Sequence, residues 1–225
     1  MINIQDLNKS FGKKQVLKDL NLSLNNGMIH GIVGANGAGK TTLFKCMCQL
    51  ETFEGNIGVS QKDKIGFLPT SPYMLPKITG EEYLHLLAHA RGICLKEHKD
   101  LNPFELPLKS FAENYSTGMK KKLALTALLL QQNEIYILDE PFNGVDIHSN
   151  LIIQQIISDL KAMGKTVIIS SHIFSSLTES SDRIHFLKDG RISKSATPDH
   201  FKQVEDEMKG EQPSINLKAI MGLKD

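Results

Sequence analysis

The sequence predicts an α/β fold built on a mainly parallel sheet. Two observations carry this prediction: short apolar runs alternate with amphipathic stretches along the chain, and a glycine-rich turn joins one of these runs to a helix. The chain has 225 residues, of which 40% are hydrophobic and 23% are charged. This length and ordinary composition favour one globular domain with a sizeable core and a smaller inserted subdomain.

The N-terminal region is predicted to contain paired strands and the entry of a parallel sheet. Residues 1–7 alternate between apolar and polar, and closely spaced leucines continue the strand pattern after a turn at residues 9–14. Phe11 lies in that turn, where an exposed ring could stack on a nucleobase or pack against its own loop. Residues 28–33 form a predicted buried strand, and residues 41–50 form the helix that follows it.

The turn between that strand and that helix contains a phosphate-loop motif. From Gly34 to Thr42 it reads Gly-Ala-Asn-Gly-Ala-Gly-Lys-Thr-Thr and fits the pattern Gly-x-x-x-x-Gly-Lys-Thr. In this pattern, backbone N–H groups at the mouth of a helix bind phosphate oxygens, the lysine lies against the β and γ phosphates, and the threonine ligates Mg²⁺. The glycines allow phosphate to approach the backbone closely and permit unusual dihedral angles. We therefore predict that a nucleoside triphosphate is bound by Gly34, Asn36, Gly37, Ala38, Gly39, Lys40, Thr41 and Thr42.

The remaining elements follow from hydrophobic periodicity. Strands are predicted at residues 56–60, 64–68, 134–138, 166–170, 184–187 and 191–193, the last two as a hairpin. Helices are predicted at residues 81–91, 118–130 and 146–163, and a polar helix with a weakly structured end at 198–225.

A proline-punctuated loop at residues 70–79 marks a change of composition. The pattern predicts that its apolar residues Tyr73, Met74 and Leu75 are exposed. Such residues form either a docking surface for another protein or the floor of a subdomain, and the sequence leaves both interpretations open.

Polar residues end two of the predicted buried strands. Asp139 and Glu140 follow the strand at residues 134–138, and His172 follows the strand at residues 166–170. Because ligands bind at the carboxyl edge of open α/β sheets, we predict that Asp139 holds Mg²⁺ and that Glu140 orients or deprotonates an attacking water. His172 is predicted to contact the γ-phosphate from the same edge.

Charge and hydropathy exclude several classes of function. The formal net charge is +1 and no long basic run is present, so we expect no nucleic-acid partner; the triplet Lys120 to Lys122 is interpreted as a solvated helix face. The first residues lack a basic segment followed by an apolar core, which predicts a cytoplasmic protein. The longest nearly apolar stretch, residues 123–130, is far shorter than the roughly 20 residues that span a bilayer, so any membrane role is expected to come from a partner.

These motifs, taken in order, resemble those of the nucleotide-binding subunit of ATP-binding cassette (ABC) transporters. The most diagnostic segment is Tyr115 to Met119, Tyr-Ser-Thr-Gly-Met, followed by three lysines. It is similar to the signature motif of the family, usually Leu-Ser-Gly-Gly-Gln, in a variant common among exporters whose membrane subunit is a separate chain. The resemblance extends from Ile2 to about Thr197.

The resemblance implies a P-loop NTPase fold with an N-terminal antiparallel β subdomain and an inserted α-helical subdomain. The RecA-like core with its β subdomain is expected at residues 1–69 and 119–197, and the helical insert with the signature at residues 70–118. A tail at residues 198–225 completes a single ATPase domain.

The resemblance also implies roles, with ATP and Mg²⁺ as ligands. Within one copy, Phe11 is expected to stack on adenine and Asp139 to bind Mg²⁺. Glu140 is expected to act as the general base and His172 to sense the γ-phosphate. Ser116 and Gly118 match positions that contact the γ-phosphate of ATP held by a second copy. Two ATPase subunits, identical or related, are expected to sandwich two ATP molecules, and hydrolysis is expected to drive a separate transmembrane permease.

One position departs from the family pattern. Where the family usually has a glutamine that touches Mg²⁺ and the attacking water, this chain has Thr70, whose shorter side chain is expected to need a bridging water. The signature also contains Thr117 and Met119. We predict slowed turnover, because phosphoryl transfer depends chiefly on positioning and on charge stabilisation.

Three other functions are compatible with parts of the pattern. A soluble ABC-type remodelling ATPase would carry a second cassette or long coiled coils, and sustained heptads are absent from this sequence. An ATP-binding dimerisation switch with little hydrolysis is favoured by Thr70 and disfavoured by the pair Asp139 and Glu140. A small-molecule kinase would need an arginine-rich lid, and arginine is scarce between Lys40 and Asp139.

Overall fold

The computed structural model describes residues 1–59, 64–95 and 102–210. Its strands are β1 (Ile2–Phe11), β2 (Lys14–Leu24), β3 (Ile29–Val33), β4 (Glu54–Val59), β5 (Ile65–Leu68), β6 (Ile135–Asp139), β7 (Thr166–Ser171), β8 (Arg183–Lys188) and β9 (Arg191–Ala196). Its α-helices are α1 (Lys40–Met47), α2 (Gly80–His89), α3 (Thr117–Leu130), α4 (Ile147–Ala162), α5 (Ser175–Thr178) and α6 (Pro198–Gly210).

The strands form two sheets. The larger sheet has the order β5-β6-β7-β3-β8-β9, in which only β9 runs antiparallel to its neighbour. The smaller sheet has the order β2-β1-β4 and is antiparallel throughout. The predicted mainly parallel central sheet and the predicted N-terminal antiparallel sheet are both confirmed.

Successive side chains of the central strands point to opposite faces and build two hydrophobic cores. On one face, Ile137 of β6 and Ile168 of β7 pack with α1 and the leucines of the smaller sheet, so that α1 lies between the two sheets. On the other face, Leu138 and Ile169 pack against α2, α3, α4 and α6. Because β3, β6 and β7 are buried on both faces, their sequences are continuous apolar runs, not alternating patterns.

Side-chain caps fix where three helices begin. Thr79 and Glu82 form a capping box at the start of α2. Ser116 accepts a hydrogen bond from the Met119 N–H at the start of α3, and Asp146 accepts one from the Ser149 N–H at the start of α4. The signature segment and the loop after Glu140 therefore each end at a defined helix N-terminus.

Several local expectations are wrong. The lysine triplet is not a solvated face, because the Lys121 side chain is buried and donates to two backbone carbonyls. Met74 is buried, whereas Tyr73 and Leu75 are exposed, since the loop folds its middle residue into the core formed with α2 and α3. The turn expected at residues 9–14 is shorter, because pairing continues to Phe11 opposite Lys14.

The remaining boundaries agree to within a few residues. The tail forms a helix up to Gly210, and the expectation for residues 211–225 lies outside the described residues. The division into core, insert and tail stays a prediction, and the expected boundary after residue 118 falls inside α3.

Candidate functional site

The carboxyl ends of β3, β6 and β7 bring the predicted site residues together. Val33 lies opposite Ser171 and Asp139 lies opposite Ser170 in the parallel register. The phosphate loop after β3, the carboxylates at the end of β6 and His172 after β7 consequently share one edge of the sheet.

The three phosphate-loop glycines meet two geometric requirements, a left-handed backbone and a close approach to another segment. Gly37 and Gly39 have φ of 82° and 110°, in the left-handed region that favours glycine. A Cβ on Gly34 would lie 2.4 Å from the Leu187 carbonyl oxygen, so only glycine fits there. These constraints fix the path of the loop over the start of α1.

Lys40 is held by its own loop. Its ammonium donates to the carbonyl oxygens of Gly34 and Ala35 at 2.7 Å and 3.3 Å, and it pairs with the Glu140 carboxylate at 3.3 Å. The side chain is buried, so this charge lies in a partly desolvated environment beside the loop amides.

Asp139 is fully buried and accepts from three hydroxyl groups. Thr41 and Thr70 donate to one carboxylate oxygen at 2.6 Å and 2.7 Å, and Ser170 donates to the other at 2.6 Å. Thr70 therefore contacts Asp139 directly, and the expected water bridge from Thr70 toward Mg²⁺ and the attacking water stays a prediction.

Glu140 lies between two cationic or ionisable groups. One carboxylate oxygen pairs with Lys40, and the other lies 3.0 Å from the His172 Nδ1. The Glu140 side chain is 11% exposed, so it is shielded without being sealed from water. Its backbone has φ of 52°, a conformation that non-glycine residues rarely adopt and that is enriched at active sites.

These residues line a cavity of about 610 Å³. Predicted residues on its wall are Phe11, Asn36, Gly37, Gly39, Lys40, Thr41, Thr42, Glu140 and His172. A second cavity of about 840 Å³ also borders the phosphate loop and contacts Gly34 and Ala38. The residues that line both cavities are Lys14, Val16, Asn36, Gly37 and His172. Asp139 lies behind the wall and reaches the first cavity through the hydroxyls of Thr41 and Thr70.

Phe11 is half-exposed at the mouth of the first cavity. The Lys9 ammonium lies 4.6 Å from its ring centroid, within the range of a cation–π contact. Lys9 is in turn fixed by Glu51 at 3.1 Å, so the phenyl ring rests on a buried, paired lysine.

The signature residues do not join this cavity within one chain. Ser116 caps α3, and Gly118 packs so tightly that a Cβ would lie 2.7 Å from the Gly144 carbonyl oxygen. The structure therefore places the N-terminus of α3 beside the loop after Glu140, and apart from the phosphate loop.

Sequence reasoning missed four contributors. Lys14 and Val16 line the cavity, and Ser170 donates to Asp139 while accepting from the Glu140 N–H at 2.9 Å. Lys121 holds the carbonyls of Glu140 and Asn143. A strand serine and a lysine within a basic triplet carry no local pattern that predicts these contacts.

The chain is similar to proteins of one family. The protein-family model described as ABC transporter matches residues 17–143. The bacitracin transport ATP-binding protein BcrA of Enterococcus faecalis is 33% identical over 208 residues, which cover 85% of this chain and 68% of the relative. The lantibiotic transport ATP-binding protein SrtF of Streptococcus pyogenes is 31% identical over 208 residues, which cover 85% of this chain and 89% of the relative.

Solved structures share the fold. The ATP-binding subunit of an ABC transporter matches with a TM-score of 0.79 and 26% identity, covering 94% of this chain and 98% of that chain. A dimeric ATP-binding cassette in a post-hydrolysis state, bound to ADP and Pi, matches with a TM-score of 0.79 and 21% identity, covering 88% of this chain and 99% of that chain. The P-loop NTPase fold implied by the motifs is thereby confirmed.

Proposed function

Because this chain belongs to the ABC transporter family and is an ATP-hydrolysing subunit of a transporter, we propose that its hydrolytic site is the cluster at the carboxyl edge of the larger sheet. The observation that carries this proposal is the position of Glu140. Its carboxylate lies between the Lys40 ammonium and the His172 imidazole, on the wall of the cavity beside the phosphate loop.

Lys40 and the loop amides provide the charge stabilisation. In the structure the Lys40 ammonium is bound by carbonyl and carboxylate oxygens. A phosphate oxygen is an acceptor of the same kind and would replace one of them. The backbone N–H groups at the start of α1 add the positive end of the helix dipole. Charge that develops on the transferred phosphoryl group would be neutralised here.

The donor set beside Lys40 fits Mg²⁺. Thr41 and Asp139 present hard oxygen atoms, and Thr70 lies on the same carboxylate oxygen. Among the described residues, no cluster of three or more histidine, cysteine, aspartate or glutamate side chains could hold a metal alone, so Thr41 and Asp139 would share the ion with the phosphates. When bound, Mg²⁺ would neutralise charge on the β and γ phosphates.

Glu140 is the proposed general base. Its carboxylate would accept a proton from water while the water oxygen bonds to the γ-phosphorus and the bond to ADP breaks. The hydrogen-bond contact with His172 orients the carboxylate, and we propose that His172 also senses the γ-phosphate. Phe11 would stack on the adenine through the ring face that Lys9 does not cover.

The separation of the signature from the cavity supports a paired arrangement. Ser116 and Gly118 lie at the N-terminus of α3, where orphan N–H groups favour an anion. We propose that this end of α3 completes the site of a second ATPase subunit, identical or related, bound head to tail.

A membrane partner is the second part of the proposal. Among the described residues, no helix has both the length and the apolar character needed to cross a bilayer. Exposed Tyr73 and Leu75 follow Thr70, so a partner that docks there would contact the loop that reaches the metal site. We propose a separate permease at this surface, which would hold the subunit on the inner face of the membrane, and the relatives named for bacitracin and lantibiotic transport favour an exporter.

The test is ATP turnover by the purified chain over a range of protein concentrations. Turnover is expected to rise more than linearly with concentration, and Glu140→Gln is expected to reduce it about 100-fold or more while ATP binding persists. Exposed Glu54 offers a matched control, because Glu54→Gln removes the same charge away from the site. Firm ATP binding without turnover, in the presence of the permease, would overturn hydrolysis and favour the dimerisation switch.

A further inference from the structure

Lys121 is the most deeply buried lysine of the described residues. It is 1% exposed, and its ammonium donates to the carbonyl oxygens of Glu140 at 2.8 Å and Asn143 at 2.7 Å. Among the described residues, no carboxylate lies within ion-pair distance of this ammonium. Burying an ammonium group with only two backbone carbonyls as partners carries a desolvation cost.

The Glu140 carbonyl that Lys121 binds belongs to a turn held by several contacts. Glu140 has φ of 52°, and its N–H is fixed by the Ser170 hydroxyl. Its carbonyl also accepts from the Asn143 N–H at 3.2 Å, closing the turn. Lys121 therefore holds the carbonyl side of a residue whose N–H side is already held by Ser170, so the backbone from which the carboxylate extends toward Lys40 is fixed at both ends.

The same contacts join Glu140 to the signature helix. Lys121 lies in the second turn of α3, and Gly118 in the first turn packs against the Gly144 carbonyl. Lys122 adds contacts to Asp146 at 3.2 Å and to the Ser149 hydroxyl at 3.0 Å. The N-terminus of α3 and the segment from Glu140 to Asp146 consequently form one packed unit.

The pKa of Lys121 is lowered, chiefly by burial, and the nearby carboxylates of Glu140 and Asp139 oppose this shift. These two carboxylates belong to the hydrolytic site, so the buried cation lies close to the reacting groups while contacting only backbone.

We infer that Lys121 is a positioning residue for hydrolysis. By holding the carbonyls of Glu140 and Asn143, it places the Glu140 carboxylate and links it to the N-terminus of α3, which is proposed to complete the site of the second subunit. This inference rests on the proposed function and assigns a role to a residue outside the motifs. Glu140, the proposed base in the site of its own subunit, then moves together with the N-terminus of α3, which serves the site of the second subunit.

The experiment compares Lys121→Met, Lys121→Arg and the wild type. Methionine keeps the length and removes the donors, so we expect kcat to fall about 10- to 100-fold, since small misplacements of a catalytic group cost this much. KM and ATP affinity are expected to stay within about twofold of the wild-type values, because Lys121 is not on the cavity wall. Arginine retains a cation and donors and is expected to restore part of kcat.

A second measurement separates positioning from loss of structure. In a Glu140→Gln background, ATP-dependent dimerisation measured by light scattering is expected to be unchanged by Lys121→Met. The control is Lys202→Gln on α6, which removes an exposed charge and is expected to leave turnover unchanged. Active protein is counted by ATP-binding stoichiometry, so that a misfolded fraction does not lower the apparent kcat.

The outcomes distinguish this inference from the proposed function. Wild-type turnover that Glu140→Gln abolishes establishes the function first. With that result, a Lys121→Met enzyme that keeps kcat within twofold, or that loses dimerisation in parallel with kcat, overturns the positioning role alone. If Lys121→Met does not fold, Lys121→Gln decides by the same criteria. Wild-type turnover that is absent even in the presence of the permease overturns both the function and the positioning role.

Discussion

Two buried polar clusters lie in the larger sheet and differ in what surrounds them. At the carboxyl edge, the acidic pair after β6 contacts hydroxyls, a lysine and a histidine beside an open cavity. In the interior, His30 of β3 and His185 of β8 stack with ring centroids 5.4 Å apart. The first cluster has room for a ligand, whereas the second is closed upon itself.

The interior cluster is a complete chain of hydrogen bonds. The His30 Nε2 donates to the Asn25 carbonyl at 3.0 Å, which leaves its Nδ1 to accept from the His185 Nε2 at 3.2 Å. The remaining His185 nitrogen then accepts from the Ser195 hydroxyl at 2.8 Å. Each neutral ring uses one donor and one acceptor. Protonation of His30 would set its Nδ1–H against the His185 Nε2–H, whereas protonation of His185 would require the Ser195 hydroxyl to turn from donor to acceptor.

The two clusters differ in whether the fold itself occupies every hydrogen-bond site. Every hydrogen-bond site of the histidine pair is taken by the fold, so the pair contributes to stability. At the edge, Asp139 and Glu140 contact hydroxyls, a lysine and a histidine, and a bound nucleotide or metal ion would replace some of these contacts. Substitutions should therefore affect turnover at the edge and stability in the interior.

After Glu140, the largest effect on turnover is expected at Asp139. Asp139→Asn would place an amide N–H₂ against hydroxyl donors and remove the charge beside Thr41, and we expect turnover to fall about 100-fold. The Mg²⁺ concentration for half-maximal turnover should rise. Asp159→Asn on the exposed face of α4 is the control, and equal loss in both variants would contradict a specific role for Asp139.

The interior cluster should respond to pH. Burial lowers the pKa of His185 from the usual 6.5 to about 3, with a smaller contribution from the charge of His30. Burial also lowers the pKa of His30. Stability from neutral His185 is present above pH 6.5 and is lost as pH falls toward 3. Between pH 7.5 and 5.5 we expect the free energy of unfolding to fall by about 1.4 kcal/mol through His185.

Denaturant unfolding of His185→Gln tests this expectation. The variant does not titrate, so its decrease over the same pH range should be smaller by that amount. His148 is exposed on α4, and His148→Gln should retain the full decrease. An identical decrease in His185→Gln and the wild type would show that the pair does not govern acid stability.

The smallest expected effect is at Thr70. Thr70→Ala removes one of two hydroxyls from an Asp139 oxygen that keeps Thr41, so we expect turnover to fall only about 3- to 10-fold. Thr70→Ser retains the hydroxyl and should lie close to the wild type, while Thr70→Gln should raise turnover if the longer side chain reaches the attacking water. Rates unaffected by all three changes would show that this position is irrelevant to hydrolysis.

Much of the site could be predicted because its residues lie in contiguous motifs. The phosphate loop and the carboxylates after an apolar strand are local patterns whose geometry follows from a strand, a turn and a helix. Contacts between elements far apart in the chain have no such pattern. Thr70 and Asp139 are 69 positions apart, and nothing local in either segment shows that their side chains touch.

Errors occurred where burial depends on another element. Lys121 resembles its neighbours in the triplet, but the loop from Glu140 covers it and supplies two carbonyls. Met74 is predicted to be exposed like its neighbour Tyr73, but it packs into the core that α2 and α3 help to form. In both cases the sequence predicted an exposed side chain, and the tertiary structure buries it.

The sequence by itself determined the parallel sheet, the phosphate loop and the carboxyl edge at which the polar residues gather, because periodicity and glycine patterns act over a few residues. Only the tertiary structure decided that Lys121 holds the backbone of Glu140 and that the signature end of α3 lies apart from the cavity of its own chain. The physical reason is that a buried polar side chain takes whatever partner the packing of distant segments brings to it.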